Sequence, residues 1–183
     1  MLILILGLLL WAGGHYYKRI LPEIHEQMGQ KAKGLSTLLI VMGLAMMIVG
    51  YRNADFINVW YPPTWTVHLN NLLMLVAVFC LGTAHTKGRL RGWTRHPMLI
   101  SVKIWAVAHL LVNGDLASIV LFGGMLLWAG VQVMLINRAA PEWERPEKGP
   151  AKKDVILVIA TLVAFGVITG IHMALGVSPF PQG

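Results

Sequence analysis

VILVIATLVAFGVITGIHMALGV, residues 155–177, runs 23 residues without an Asp, Glu, Lys or Arg side chain. A helix needs about 20 apolar residues to cross the hydrocarbon core of a bilayer, with roughly 17 to 25 tolerated. This stretch meets that length by itself. Five more stretches meet it or nearly do: 1–21, 34–50, 66–84, 97–113 and 116–136. Segment 97–113 is short if it starts at Pro97, and Lys103 lies within it. A start in the cytoplasmic interface, with Lys103 snorkelling back towards the headgroups, accommodates both features. The expected fold is all-α, a polytopic membrane bundle of six transmembrane helices forming one domain over 1–183.

The connections carry the orientation. Lys18, Arg19, Lys31 and Lys33 follow the first segment; Lys87, Arg89, Arg91 and Arg95 follow the third; Arg138, Arg145, Lys148, Lys152 and Lys153 follow the fifth. Thirteen of the 15 basic residues thus fall on one side, while the alternate connections hold Arg52 with Asp55, and Asp115 alone. The positive-inside rule makes the basic side cytoplasmic and places both termini outside. The sign of the charge in the connections plays no part in setting the spans, so this agreement is an independent check. Asn113-Gly114-Asp115 reads as a tight turn that makes its flanking helices antiparallel neighbours. Tyr61-Pro62-Pro63-Thr64-Trp65 reads as a rigid lead-in to segment 66–84, with aromatic residues suited to the interface.

Composition agrees. Of the 183 residues, 56% are hydrophobic and 13% charged, where a soluble domain carries about a quarter as charged ones. Mean hydropathy is +0.65. The net charge of +7 lies in short segments beside apolar runs, where it meets anionic lipid headgroups rather than nucleic acid. Cys80 is the one cysteine, which excludes an intrachain disulfide and a multi-cysteine metal site. Its expected role is that of a small buried apolar residue. Met1 to Leu10 has no positive side chain, so the first segment reads as a retained helix rather than a cleaved leader.

Seven histidines in so apolar a chain ask for an explanation, because ionisable groups inside a membrane need a partner. His25 and His85 fall at the cytoplasmic boundary, where solvation suffices. His68 and His172 lie near the outer ends of their segments and are interfacial, bonded to other helices, or part of a site. His15 and His109 lie within segments, and each follows a tryptophan by four residues: Trp11-Ala12-Gly13-Gly14-His15 and Trp105-Ala106-Val107-Ala108-His109. Residues four apart share a helix face, so each helix would show an indole beside an imidazole. Gly13-Gly14 leaves room for a cofactor or another helix. A flat iron-bearing ring between two such helices, with imidazoles as axial ligands, fits the pair; hydrogen bonding of both rings to neighbouring helices fits it too. Counting ~1.5 Å per residue puts the two histidines roughly 10 Å apart in depth, less if segment 97–113 starts below the membrane plane. Thr94-Arg95-His96-Pro97 puts Arg95 and His96 at the cytoplasmic start of a helix, with proline in its first turn. They serve there either as a positive-inside anchor or to bind an anionic group.

Taken together, Gly14-His15, Thr94-Arg95-His96-Pro97-Met98-Leu99 and the run Lys103-Ile104-Trp105-Ala106-Val107-Ala108-His109-Leu110-Leu111-Val112-Asn113-Gly114-Asp115 resemble the NnrU family, bacterial membrane proteins linked with denitrification. The likeness extends over nearly the whole chain, including Tyr61-Pro62-Pro63 and Arg138. It implies a bacterial inner-membrane location and a relation to 15-cis-ζ-carotene isomerase of plants, which isomerises a polyene double bond using haem b. On that resemblance His15 and His109 match the axial iron ligands of the isomerase. Trp11 and Trp105 would pack near the ring, and Arg95, His96 or Lys103 would pair with its propionates. Ala106 stands where the isomerase has a cysteine as alternative ligand, so a ligand switch through that position is lost. The implied substrate is lipophilic and enters from the surrounding lipid.

Two other readings stay open. The Arg95-His96-Pro97 helix start is similar to membrane methyltransferases that use S-adenosylmethionine. Those enzymes usually carry a paired glutamate further on, whereas Glu142 and Glu144 are separated by Trp143. The other is a non-catalytic assembly partner for nitrogen-oxide reductases, offering segment 138–154 or the small-residue face at Gly123-Gly124.

Overall fold

The computed structural model describes residues 1–180; residues 181–183 of the uncharged tail lie outside that description. The described residues form α1 (Leu2–Ile20), α2 (Pro22–Met28), α3 (Gln30–Arg52), α4 (Thr66–Thr83), α5 (Pro97–Leu110), α6 (Leu116–Ala139) and α7 (Lys152–Ala174). Six of these follow the six apolar segments. Helices α3, α6 and α7 run past their apolar stretches into the charged connections, taking in Lys31 and Lys33, Arg138, and Lys152 and Lys153. Backbone hydrogen bonding does not stop where the hydrocarbon does. The unforeseen element is α2, which has Pro22 in its first turn, Glu23 at its positive end and His25 towards its negative end. Gly29, with φ 53°, breaks the chain between α2 and α3, a backbone region that glycine enters without steric cost.

Among the described residues four helices, α3, α4, α6 and α7, are long and apolar enough to cross a membrane, which makes the chain a multi-pass membrane protein. By length and composition these account for four of the six crossings expected. Helix α5 has 14 residues, about 21 Å at ~1.5 Å per residue against a core of about 30 Å. Helix α1 has 19 residues but carries His15, Tyr16, Tyr17, Lys18 and Arg19 just before its last residue, Ile20.

The chain divides into two compact units. One comprises Met1–Tyr61 and Gly114–Pro141, the other Pro62–Asn113 and Glu142–Gly183. The turn at Asn113-Gly114 therefore hands the chain from one unit to the other. Within the units, helix α5 takes α4 as its partner, and α6 takes α1 and α3.

In the first unit, α1 and α3 pack backbone to backbone. Glycines spaced seven apart, Gly7 and Gly14 on α1 and Gly43 and Gly50 on α3, make this possible. A Cβ on Gly7 would lie 2.6 Å from the Met47 amide nitrogen, and one on Gly43 would lie 2.6 Å from that of Trp11. Small residues are how membrane helices gain close van der Waals contact when lipid is as apolar as they are. At one end of the unit, Asp115 caps α6 by accepting from the Ser118 amide at 2.9 Å and from its hydroxyl. The Tyr51 hydroxyl lies 2.8 Å from Ser118 Oγ. The amides of Val59 and Trp60 both donate to the Gly114 carbonyl.

In the second unit, α4 carries α5 and α7. The Ser101 hydroxyl donates to the Ala77 carbonyl at 2.7 Å, and Leu157 fills the space beside Gly82. Cys80 is buried there at 2% exposure, in keeping with the small apolar role expected of it. Asp154, in the first turn of α7, accepts from the backbone amides of Arg89 and Leu90 at 3.0 and 3.2 Å. With the Gly149 amide bonded to the Gly88 carbonyl at 3.0 Å, this ties the basic connection after α4 to the polar connection before α7.

Candidate functional site

Helix α1 carries Trp11 and His15 one turn apart, and α6 brings Trp128 against both. The Trp11 and His15 rings are 4.5 Å apart, His15 and Trp128 4.9 Å, and Trp11 and Trp128 5.4 Å between centroids. The Tyr16 hydroxyl donates to the Trp128 carbonyl at 2.9 Å, which fixes α1 to α6 at that level. His15 Nδ1 bonds the Trp11 carbonyl at 2.8 Å. A carbonyl only accepts, so Nδ1 carries the proton and Nε2 carries the ring's lone pair. Of the two adjacent glycines, Gly14 serves the α3 contact, lying against the Ser36 carbonyl, while nothing lies within 4 Å of a Cβ on Gly13. Gly13 sits two residues from His15, on another face of the helix.

The second unit repeats the arrangement. Trp105 and His109 of α5 have centroids 5.2 Å apart, and His109 Nδ1 donates to the Trp105 carbonyl at 2.9 Å. His172 of α7 has the same bond, Nδ1 to the Ile168 carbonyl at 2.8 Å, and lies within electrostatic reach of His109. Asn113 donates its side-chain amide to the His109 carbonyl at 2.8 Å, and its backbone amide bonds the same oxygen. The Asn113-Gly114-Asp115 part of the motif is thereby a helix stop, a strand-like contact and a helix start in sequence. Its chemistry is structural.

Each half of the expected ligand pair has the donor chemistry that porphyrin iron takes. A ligating histidine typically donates its other ring N–H to a carbonyl or carboxylate, which sets the tautomer and aims the lone pair. Both His15 and His109 do so. They belong to different units, each with its own tryptophan. Among the described residues no group of three or more His, Cys, Asp or Glu side chains converges to hold a metal ion.

The other expected residues are placed as follows. His96 occupies the cap position before α5, with Pro97 in the first turn. Arg95, His96 and Lys103 are all half-buried, and Lys103 lies mid-helix. His68 and His85 are exposed, and His25 packs its ring against Tyr17 at 5.7 Å. Glu142 and Glu144 are both exposed.

The residues that sequence reasoning missed are Trp128 and Gln132. Both are 7% exposed and one turn apart on α6. The signal was present: Trp128-x-x-x-Gln132 repeats the spacing of Trp11-x-x-x-His15 and Trp105-x-x-x-His109, and a carboxamide within an apolar span is costly without a partner.

A family model described as NnrU protein matches residues 3–179 of the chain. No curated protein and no solved structure matches it.

Proposed function

The chain belongs to the NnrU family, and on that premise we propose that it is a bacterial inner-membrane haem protein, with one haem b held through His15 and His109. The observation that carries this reading is the repeated Trp-x-x-x-His turn, in which each imidazole gives its Nδ1 proton to the carbonyl four residues back and keeps Nε2 as donor to a metal. Trp11 and Trp105 supply flat apolar faces beside the two rings. Arg95, His96 or Lys103 would pair with the propionates. When bound, haem contributes an iron atom that changes oxidation state by one electron. On this reading the chain acts as one NnrU-like domain.

Positive-inside bias supports retaining six crossings with both termini outside, despite the shortness of α5. Were α5 not to cross, α6 and α7 would reverse, and Arg138, Arg145, Lys148, Lys152 and Lys153 would all lie outside. A short hydrophobic span is accommodated by local thinning of the bilayer and by snorkelling of Lys103.

An isomerase acting on a lipophilic polyene, as in the carotene-isomerase relation, is the activity this reading favours. Ala106 in place of a cysteine removes any thiolate ligand at that turn, so both ligands would be imidazoles in every oxidation state. The test is absorption spectroscopy of the purified protein before and after dithionite. A Soret band and a sharp reduced α-band are expected, lost in His15→Ala and in His109→Ala. A protein that takes up no haem, or variants that keep the spectrum unchanged, would refute the assignment.

A further inference from the structure

Three polar atoms in the first unit are buried without a hydrogen-bond partner among the described residues: Trp11 Nε1, Trp128 Nε1 and Gln132 Oε1. They belong to one neighbourhood. Trp11 and Trp128 are in ring contact, both touch His15, and Gln132 follows Trp128 on the same face of α6. Buried polar groups are nearly always paired, because burial without a partner costs the whole desolvation energy. Edge-on ring packing offsets part of that cost for an indole N–H. It offers nothing to the carboxamide oxygen of Gln132.

We infer that these groups form a binding site for the head of a lipophilic quinol. Indole N–H groups only donate and a carboxamide oxygen only accepts, so the occupant must do both. A quinol hydroxyl accepts from an indole N–H and donates to the Gln132 oxygen, whereas a quinone, whose carbonyls only accept, would leave Gln132 unpaired. The rings of Trp11, Trp128 and His15 favour a flat head. Depth favours a neutral one: Trp11 lies about 14 Å from either end of α1, counted at ~1.5 Å per residue. A phosphate head would have to shed its hydration there, whereas a quinol head on an isoprenoid tail is already soluble in lipid. The site uses groups that iron ligation by His15 Nε2 would leave over, and it lies wholly within one unit, so it does not rest on haem binding.

Photolabelling of the protein in lipid nanodiscs with an azido-ubiquinol tests this, with labelled peptides located by mass spectrometry. Label is expected on the peptides containing Trp11 to His15 and Trp128 to Gln132, displaced by excess decylubiquinol and not by dodecane. Gln132→Leu, and Trp128→Phe, which keeps a ring but removes the N–H, should each weaken decylubiquinol competition roughly tenfold, the effect of one lost hydrogen bond. His109→Ala should leave labelling intact even where it abolishes the haem spectrum, which separates failure of the two ideas. Label spread evenly over lipid-facing helices overturns the inference, as does displacement by dodecane. So does labelling in which both variants compete like the parent protein. Should either variant fail to fold, the displacement pattern in the parent protein decides.

Discussion

Replacing Gly43 by alanine would place a methyl carbon 2.6 Å from the Trp11 amide nitrogen, 2.8 Å from the Gly7 carbonyl oxygen and 3.0 Å from the Trp11 Cα. All three are backbone atoms, so no side chain can rotate away. Ordinary contact begins at 3.4 Å, so α1 and α3 must part by about 0.8 Å, a gap that forfeits roughly a quarter to a half of each contact along the seam. Overpacking of this kind costs about 1–3 kcal/mol. At about 2–4 °C per kcal/mol for a chain of this size, the apparent Tm should fall by roughly 2–12 °C. The assay is the fraction of detergent-solubilised protein that elutes monodisperse after heating across a temperature series. Gly13→Ala is the control, since nothing lies within 4 Å of its Cβ and alanine is the better helix former by roughly 1 kcal/mol. If Gly43→Ala proves as stable as Gly13→Ala, the close approach of α1 and α3 is not what holds this unit together.

Asp115→Ala removes the acceptor for the Ser118 amide and hydroxyl. Loss of such a cap costs about 0.5–2 kcal/mol, so the same heating series should show a lower midpoint, while Asp55→Ala, at an exposed site, should not. Asp154→Ala unties the backbone of Arg89 and Leu90 and should speed tryptic cleavage after Arg89 and Arg91 in inside-out vesicles. An unchanged cleavage rate would mean that the tie contributes little to order in that connection.

Hydropathy located six of the seven helices because it responds to the lipid itself, and charge gave their expected orientation. Neither reports which helices touch. The turn at Asn113-Gly114-Asp115 was legible in its residues, but its bonds to the His109 carbonyl on one side and the Ser118 amide on the other were not. The partner of α1 was written in Gly7, Gly14, Gly43 and Gly50, but a spacing of seven shows only that a face is small. It does not say which helix lies against it. Helix α2 escaped notice because its start signals lie among polar residues, where hydropathy is silent. For the site, Trp11 with His15 and Trp105 with His109 could be paired from their spacing, since an interval of four is a property of one helix. That Trp128 meets the first pair required the path of α6, which no local pattern encodes.

The alternation of the two units along the chain bears on how the protein is made. Residues up to Tyr61 supply α1 and α3, but α6 is synthesised only after Pro62–Asn113, which belongs to the other unit. The nascent protein must therefore hold the glycine-seamed α1–α3 pair in the membrane while α4 and α5 emerge from the ribosome. Trp128 and Gln132 arrive late to a half-built neighbourhood around His15. The neighbourhood can be completed only once α6 has been made, and a ribosome stalled before α6 would leave behind an α1–α3 pair that lacks Trp128 and Gln132.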